Sequence, residues 1–205
     1  MGIGTKIALG VVGAIVLVVL IFGGAIASTF NTLVRLDQQV QSQWAQVENV
    51  YQRRADLVPN LVATVKGAAN FEQSTLTAVT EARSRVGQVT SGAVENVARD
   101  PQAFQRFQQA QDALSSALSR LMVVVERYPE LKATQNFRDL QAQLEGTENR
   151  IAVERMRFNE AAQVFNTKRD SFPTVLIASL FGARFQEKPY FKAQTGAEKA
   201  PEVKF

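Results

Sequence analysis

The longest uninterrupted feature of the chain is an apolar run near its start, IALGVVGAIVLVVLIFGGAI from Ile7 to Ile26, without a charged or strongly polar side chain. At 1.5 Å rise per residue a helix of that length covers ~30 Å, the thickness of a bilayer core. Ile7, Val12, Val16, Leu20 and Ile26 are the expected lipid-facing residues of a single membrane anchor over residues 1–28. A cleaved signal peptide is the alternative, because Ala25-Ile26-Ala27 has the A-x-A form of a cleavage site behind the lone Lys6. The apolar run exceeds the usual signal core, and the helical pattern resumes at once after Ser28, which favours one helix leaving the membrane. Gly10 with Ala14 and Gly24 with Ser28 are small-xxx-small pairs that allow two such helices to approach.

Beyond the anchor the period changes to that of amphipathic helices. Leu33, Leu36, Val40, Trp44, Val47, Tyr51, Val58, Leu61, Val65 and Ala68 form one stripe, with Arg54 in the missing seam position and a stutter over the 36-40-44 step. Phe104, Phe107, Leu114, Leu118, Leu121 and Val125 form a second stripe, and Phe137, Leu140, Leu144, Ile151, Phe158 and Phe165 a third. Such stripes bury themselves against one another, so the fold class is all-α: a membrane helix followed by an antiparallel bundle of three to four helices with coiled-coil-like packing over residues 29–191.

The breaks agree. Gly92 and the ARDPQ segment close one helix and open the next, with Asp100 as cap and Pro101 at the first helical position. Tyr128-Pro129 does the same further on. Pro59 either kinks one long helix running from about residue 30 to 90 or separates two shorter ones; the absence of glycine beside it favours the kink. Phe172-Pro173 ends the last long helix. The TVLIASLFG segment after it, Thr174 to Gly182, is too short to span a bilayer and reads as a short helix packed on the bundle end, or as a segment lying on the membrane or on a neighbouring subunit. Residues 192–205 are polar, and disorder is expected there.

Composition narrows the chemistry. The 205 residues include no histidine and no cysteine, which removes the usual neutral-pH base, thiolate nucleophiles, disulfides and the common ligands of zinc, copper, haem and iron-sulfur clusters. No metal or other cofactor is expected, and no enzymatic activity. A net charge of +4, with cations scattered among acids, argues against nucleic acid. Lys6 on one side of the span is balanced by Arg35 on the other, so charge leaves the orientation of the bundle open.

The remaining candidates are charges on apolar seams. Arg54 lies on the first stripe, Glu72 and Arg83 on its projection, and Glu154 between Ile151 and Phe158. Interhelical ion pairing that fixes register is the favoured reading; a polar cluster that binds a ligand or senses protons is the other. In the string Arg53-Arg54-x-Asp56-x-x-Pro59-Asn60, Asp56 and Asn60 are placed to satisfy backbone groups freed by Pro59, while Arg53 and Arg54 pair with acids on a facing helix or contact a partner. Gly146 is expected at a close approach of two helices.

WAQVENVYQRRADLVPNLVATVKG from Trp44, ALSRLMVVVERYPELKATQNF from Ala117, GTENRIAVERMRFNEAAQVFN from Gly146 and FPTVLIASLFGARFQEKPYF from Phe172, in that order, resemble the LemA family over essentially the whole chain. The resemblance implies a small bacterial membrane protein whose helical bundle is exposed on one side. Where that family often carries tyrosine before asparagine this chain has Phe158 and Phe165, with Asn159 and Asn166 kept. The expected function is therefore a scaffold in the bacterial inner membrane, touching the lipid bilayer, copies of itself and other envelope proteins. A membrane-tethered sensory module and a secreted bundle released after Ala27 are the alternatives.

Overall fold

The computed structural model describes residues 2–67, 72–93, 97–182 and 184–192. They form six helices: α1 (Ile3–Lys66), α2 (Gln73–Ala93), α3 (Pro101–Val125), the single turn α4 (Pro129–Lys132), α5 (Gln135–Asp170) and α6 (Thr174–Leu180). No strand occurs among the described residues.

Helix α1 is continuous for 64 residues, roughly 95 Å, so the apolar N-terminal segment and the bundle share one helix. Within that segment Val12, Val16, Leu20 and Ile26 are 46–68% exposed, with nothing among the described residues covering them. The segment is long and apolar enough to cross a membrane. Ile7 stands in the same helix; its side chain lies outside the described residues.

From residue 33 onward α1 buries Leu33, Asp37, Val40, Trp44, Val47, Tyr51, Arg54, Val58, Leu61 and Val65, a strict alternation of three- and four-residue steps. The predicted stutter is absent. Asp37 holds the inward position and Leu36 is half-buried beside it, because cations elsewhere in the fold neutralise the aspartate. Helix α2 returns along α1, α3 runs out beside α2, and α5 returns along α1, closing an up-down-up-down bundle. On α3 the seam is Phe104, Phe107, Gln111, Leu114, Leu118, Leu121 and Val125, and on α5 it includes Phe137, Leu144, Thr147, Ile151, Phe158 and Phe165.

The ends of the helices follow local chemistry. The Asp100 carboxylate accepts from the Gln102 N–H at 2.8 Å with Pro101 in the first turn, as the sequence predicts. Thr134 caps α5, its hydroxyl accepting from the Phe137 N–H. Helix α1 ends at Lys66, before Gly67, rather than running to about residue 90. Gly146 is exposed, and a Cβ there would meet open space, so it marks no close helix approach. The heptad that turns Leu144, Thr147 and Ile151 inward turns residue 146 outward. The tail, residues 193–205, lies outside the described residues.

Pro59 sits inside α1 without ending it. A proline has no N–H, so the carbonyl four residues earlier, that of Ala55, loses its helical donor. Neither Asp56 nor Asn60 replaces it. Arg83 does, reaching from α2 to donate its Nε–H to the Ala55 oxygen at 3.0 Å. Arg83→Ala should cost about 1–3 kcal/mol by stranding that carbonyl. In a Pro59→Ala background, where the helix supplies its own donor, the same change should cost well under ~1 kcal/mol. Urea unfolding of the four variants in detergent, followed by circular dichroism at 222 nm, gives the coupling; additive costs would contradict the assignment.

Candidate interaction site: a buried polar layer and a clamped C-terminal strap

Halfway along the bundle the apolar core is interrupted by one guanidinium. Arg54 is 1% exposed, and its planar fork meets acceptors from two other helices. It donates to Ser115 Oγ at 2.6 Å and to both the carbonyl and the side-chain oxygen of Gln111, and pairs with Glu148 Oε1 at 3.0 Å. Its guanidinium lies over the Tyr51 ring, 5.0 Å from the centroid. Burial raises the Tyr51 phenol above its ordinary value against the opposing pull of Arg155 and Arg54. The layer separates two apolar clusters: one from Leu33 to Tyr51 with Phe104, Phe107, Phe158 and Phe165, the other from Val58 to Val65 with Val79, Leu114, Leu121 and Phe137.

The second feature is an extended segment, residues 184–192, lying in the groove between α1, α3 and α5. Its Phe185 packs on Phe30, Lys188 on Asp37 and Phe191 on Trp44, three strap residues for every seven of α1. The match is geometric: three extended residues cover about 10 Å and seven helical residues about 10.5 Å. Helix α5 grips the same segment at the same spacing. The Asn166 amide accepts from the Lys188 N–H and donates to its carbonyl, both at 2.9 Å. Asn159 treats Phe191 identically, at 2.9 and 3.0 Å. An asparagine amide carries one donor edge and one acceptor edge, so each pairs with both backbone polar groups of one strap residue, and Asn166 donates in addition to the Tyr190 hydroxyl. Arg169 holds the Phe185 carbonyl at 2.7 Å, and Arg155 the Lys192 carbonyl at 2.8 Å.

Side chains supply what the backbone clamps lack. Phe191 enters a cluster of Trp44, Phe104 and Phe158, with centroids 4.6–6.1 Å apart. Lys188 is 1% exposed; its Nζ pairs with Asp37 and lies 4.8 Å from the Phe165 centroid, while Arg99 takes the other Asp37 oxygen at 2.8 Å. Burial pushes the Lys188 ammonium below its ordinary value, and Asp37 opposes the shift. Glu48, half-buried near Trp44, is held above the usual carboxylate range by burial.

The expected seam charges divide unequally. Arg54 pairs with an acid on the facing helix, as predicted, whereas Arg53 is exposed. Asp56 accepts from Gln52 one turn back, and Asn60 is exposed with its carbonyl taking the Thr64 hydroxyl. Glu72 precedes α2 and meets Arg127 at 3.4 Å on the surface. Glu154 is half-buried and pairs with Arg157 of its own helix. Asp37, Arg99, Gln111, Glu148 and Lys188 are missing from the sequence reading. Asn159 and Asn166, seven residues apart on one face of α5, are the spacing signal from which the strap could have been found.

These features define a helical bundle that continues from a long apolar N-terminal helix and whose groove is filled by its own C-terminal segment. The chain belongs to the LemA family, whose model matches residues 43–205. It is similar to magnetosome protein MamQ 2 of Paramagnetospirillum magneticum, at 28% identity over 85% of this chain and 71% of that one. It is also similar to MamQ of Magnetospirillum gryphiswaldense, at 26% identity over 78% and 65% of the two chains. Protein LemA of Metamycoplasma hominis is 24% identical over 72% of this chain and 63% of its own.

Asn166→Ala removes the two hydrogen bonds to the Lys188 backbone, worth about 1 kcal/mol each, and a third to the Tyr190 hydroxyl. Hydrogen exchange at the Lys188 amide should accelerate roughly thirtyfold, while that of the α1 amides from Val47 to Leu61 stays unchanged. Equal exchange in both proteins would mean that the clamp does not hold the segment.

Proposed function

We propose that this protein is a membrane-anchored, non-enzymatic scaffold of the bacterial inner membrane that assembles with copies of itself and presents its bundle to other envelope proteins. The observation that carries the reading is the division of labour along α1. Its first part exposes aliphatic side chains that nothing among the described residues covers, and its second part is a core seam. The N-terminal helix, together with family membership alongside proteins named for the magnetosome, supports a membrane-associated role without catalysis.

The chemistry of the interior points the same way. Arg54, Asp37, Asn166 and Lys188 are committed to ion pairs and hydrogen bonds that join helices and strap, rather than directed into a substrate cleft. The small residues Gly10 and Gly24 face open space on the anchor, leaving room for a second helix to approach. Tethering many copies in one plane raises their effective concentration, so weak self-contacts suffice for clusters.

Multi-angle light scattering of the full-length protein, extracted in mild detergent at micromolar concentration, should give masses several times the 22.6 kDa chain. Compact monomers alone would contradict self-assembly.

A further inference from the structure

Helix α6 is apolar on both faces. Thr174, Ile177 and Ala178 are buried against the bundle. On the opposite side Phe172, Leu176 and Leu180 follow one another at four-residue steps and are 81%, 62% and 77% exposed, flanked by Val175 and Phe181. Water does not tolerate such a stripe without a partner, and a short helix that is apolar all round needs a second apolar phase.

The position of the helix identifies that phase. Phe181 stacks edge-on against Phe30 of α1, with centroids 5.0 Å apart, and Phe30 lies one turn beyond Ile26, where the exposed aliphatic run ends. The stripe on α6 thus continues the uncovered apolar surface of α1 at the level where that helix enters the bundle. Cations surround it. Arg184 lies over the Phe30 ring at 5.3 Å, Lys168 and Arg169 end α5, and Arg35 is exposed one turn up α1. Asp170 is the acid among them, paired with Arg169. Long cationic side chains beside an apolar stripe suit a layer of anionic headgroups above acyl chains.

We propose that α6 is a second membrane contact: its Phe172-Leu176-Leu180 face lies in the headgroup and upper acyl region of the leaflet nearest the bundle. The inference rests on the anchoring of α1 proposed above. Lipid is the occupant favoured over a second copy, because the stripe is continuous with the anchor's own exposed surface. With two contacts, α1 and α6, the bundle is held at a fixed height and rotation relative to the bilayer rather than swinging from a single stalk.

The absence of cysteine makes the test direct. Full-length Leu180→Cys, Leu17→Cys and Val123→Cys proteins, each carrying one environment-sensitive fluorophore, are reconstituted into vesicles of phosphatidylcholine and phosphatidylglycerol. Leu17 reports the span, and Val123, 70% exposed near the far end of α3, reports water. The label at Leu180 should emit to the blue of the one at Val123, lose several-fold in iodide quenching, and be quenched by lipids spin-labelled near the headgroup. Iodide quenching at Leu180 equal to that at Val123, with Leu17 still quenched by deep spin-labelled lipid, would overturn the proposal while leaving the anchor intact. Protection from both quenchers would also overturn it, by assigning the face to a neighbouring protein. Loss of lipid quenching at Leu17 would remove the anchoring reading and this one together.

Discussion

Helices α2, α5 and α6 are laid against one unbroken helix and α3 reaches it through its side chains, and the constraint that matters is that α1 carries an exposed apolar surface and then a buried seam. Residues up to Ile26 expose aliphatic surface; from Leu33 the same helix turns a three-four alternation toward its neighbours. Because no loop separates the two parts, the bundle inherits the direction of the apolar segment. A helix meets its internal backbone hydrogen bonds locally, which is what allows an exposed apolar stretch and a core seam to share one helix without rearrangement.

The seam of α1 is apolar except at Asp37 and Arg54, and those two residues decide how the other helices sit. A buried charge costs several kcal/mol unless paired and hydrogen-bonded, so each position accepts only an arrangement that brings its partners within reach. Arg54 requires Gln111 and Ser115 from α3 and Glu148 from α5 on one level. Asp37 requires Arg99, before α3, and Lys188 from the strap. A helix sliding by one turn keeps its apolar contacts and loses these. The polar layers therefore act on register, and the apolar clusters on either side of Arg54, one rich in aromatic rings and the other mostly aliphatic, supply the burial.

Much of the fold was legible in the sequence, for reasons that are local. A run of aliphatic residues, a heptad spacing, an aspartate before a proline and a proline after a tyrosine each act within a few residues, so the apolar N-terminal helix, the all-α class and the breaks near Asp100 and Pro129 follow from the chain itself. Arg54 was legible because a single polar residue interrupted an otherwise apolar seam. Asp37 was not, since Leu36 beside it made a plausible seam residue and the cations that justify the aspartate lie far away in sequence, at Arg99 and Lys188. The helix break after Lys66 was hidden behind the more conspicuous Pro59, whose missing hydrogen bond Arg83 makes good across the bundle. The strap has no periodicity of its own; its register is borrowed from α1 and α5.

The continuity of α1 is the claim on which the apolar N-terminal segment and the bundle both rest. It is measured most directly by pulsed electron-electron double resonance between spin labels at Leu20 and Arg53, both exposed, in the otherwise cysteine-free protein held in lipid nanodiscs. A single helix predicts one narrow distance distribution near ~50 Å. A broad distribution, or a maximum well below that distance, would mean that the chain bends between membrane and bundle, and would contradict the account.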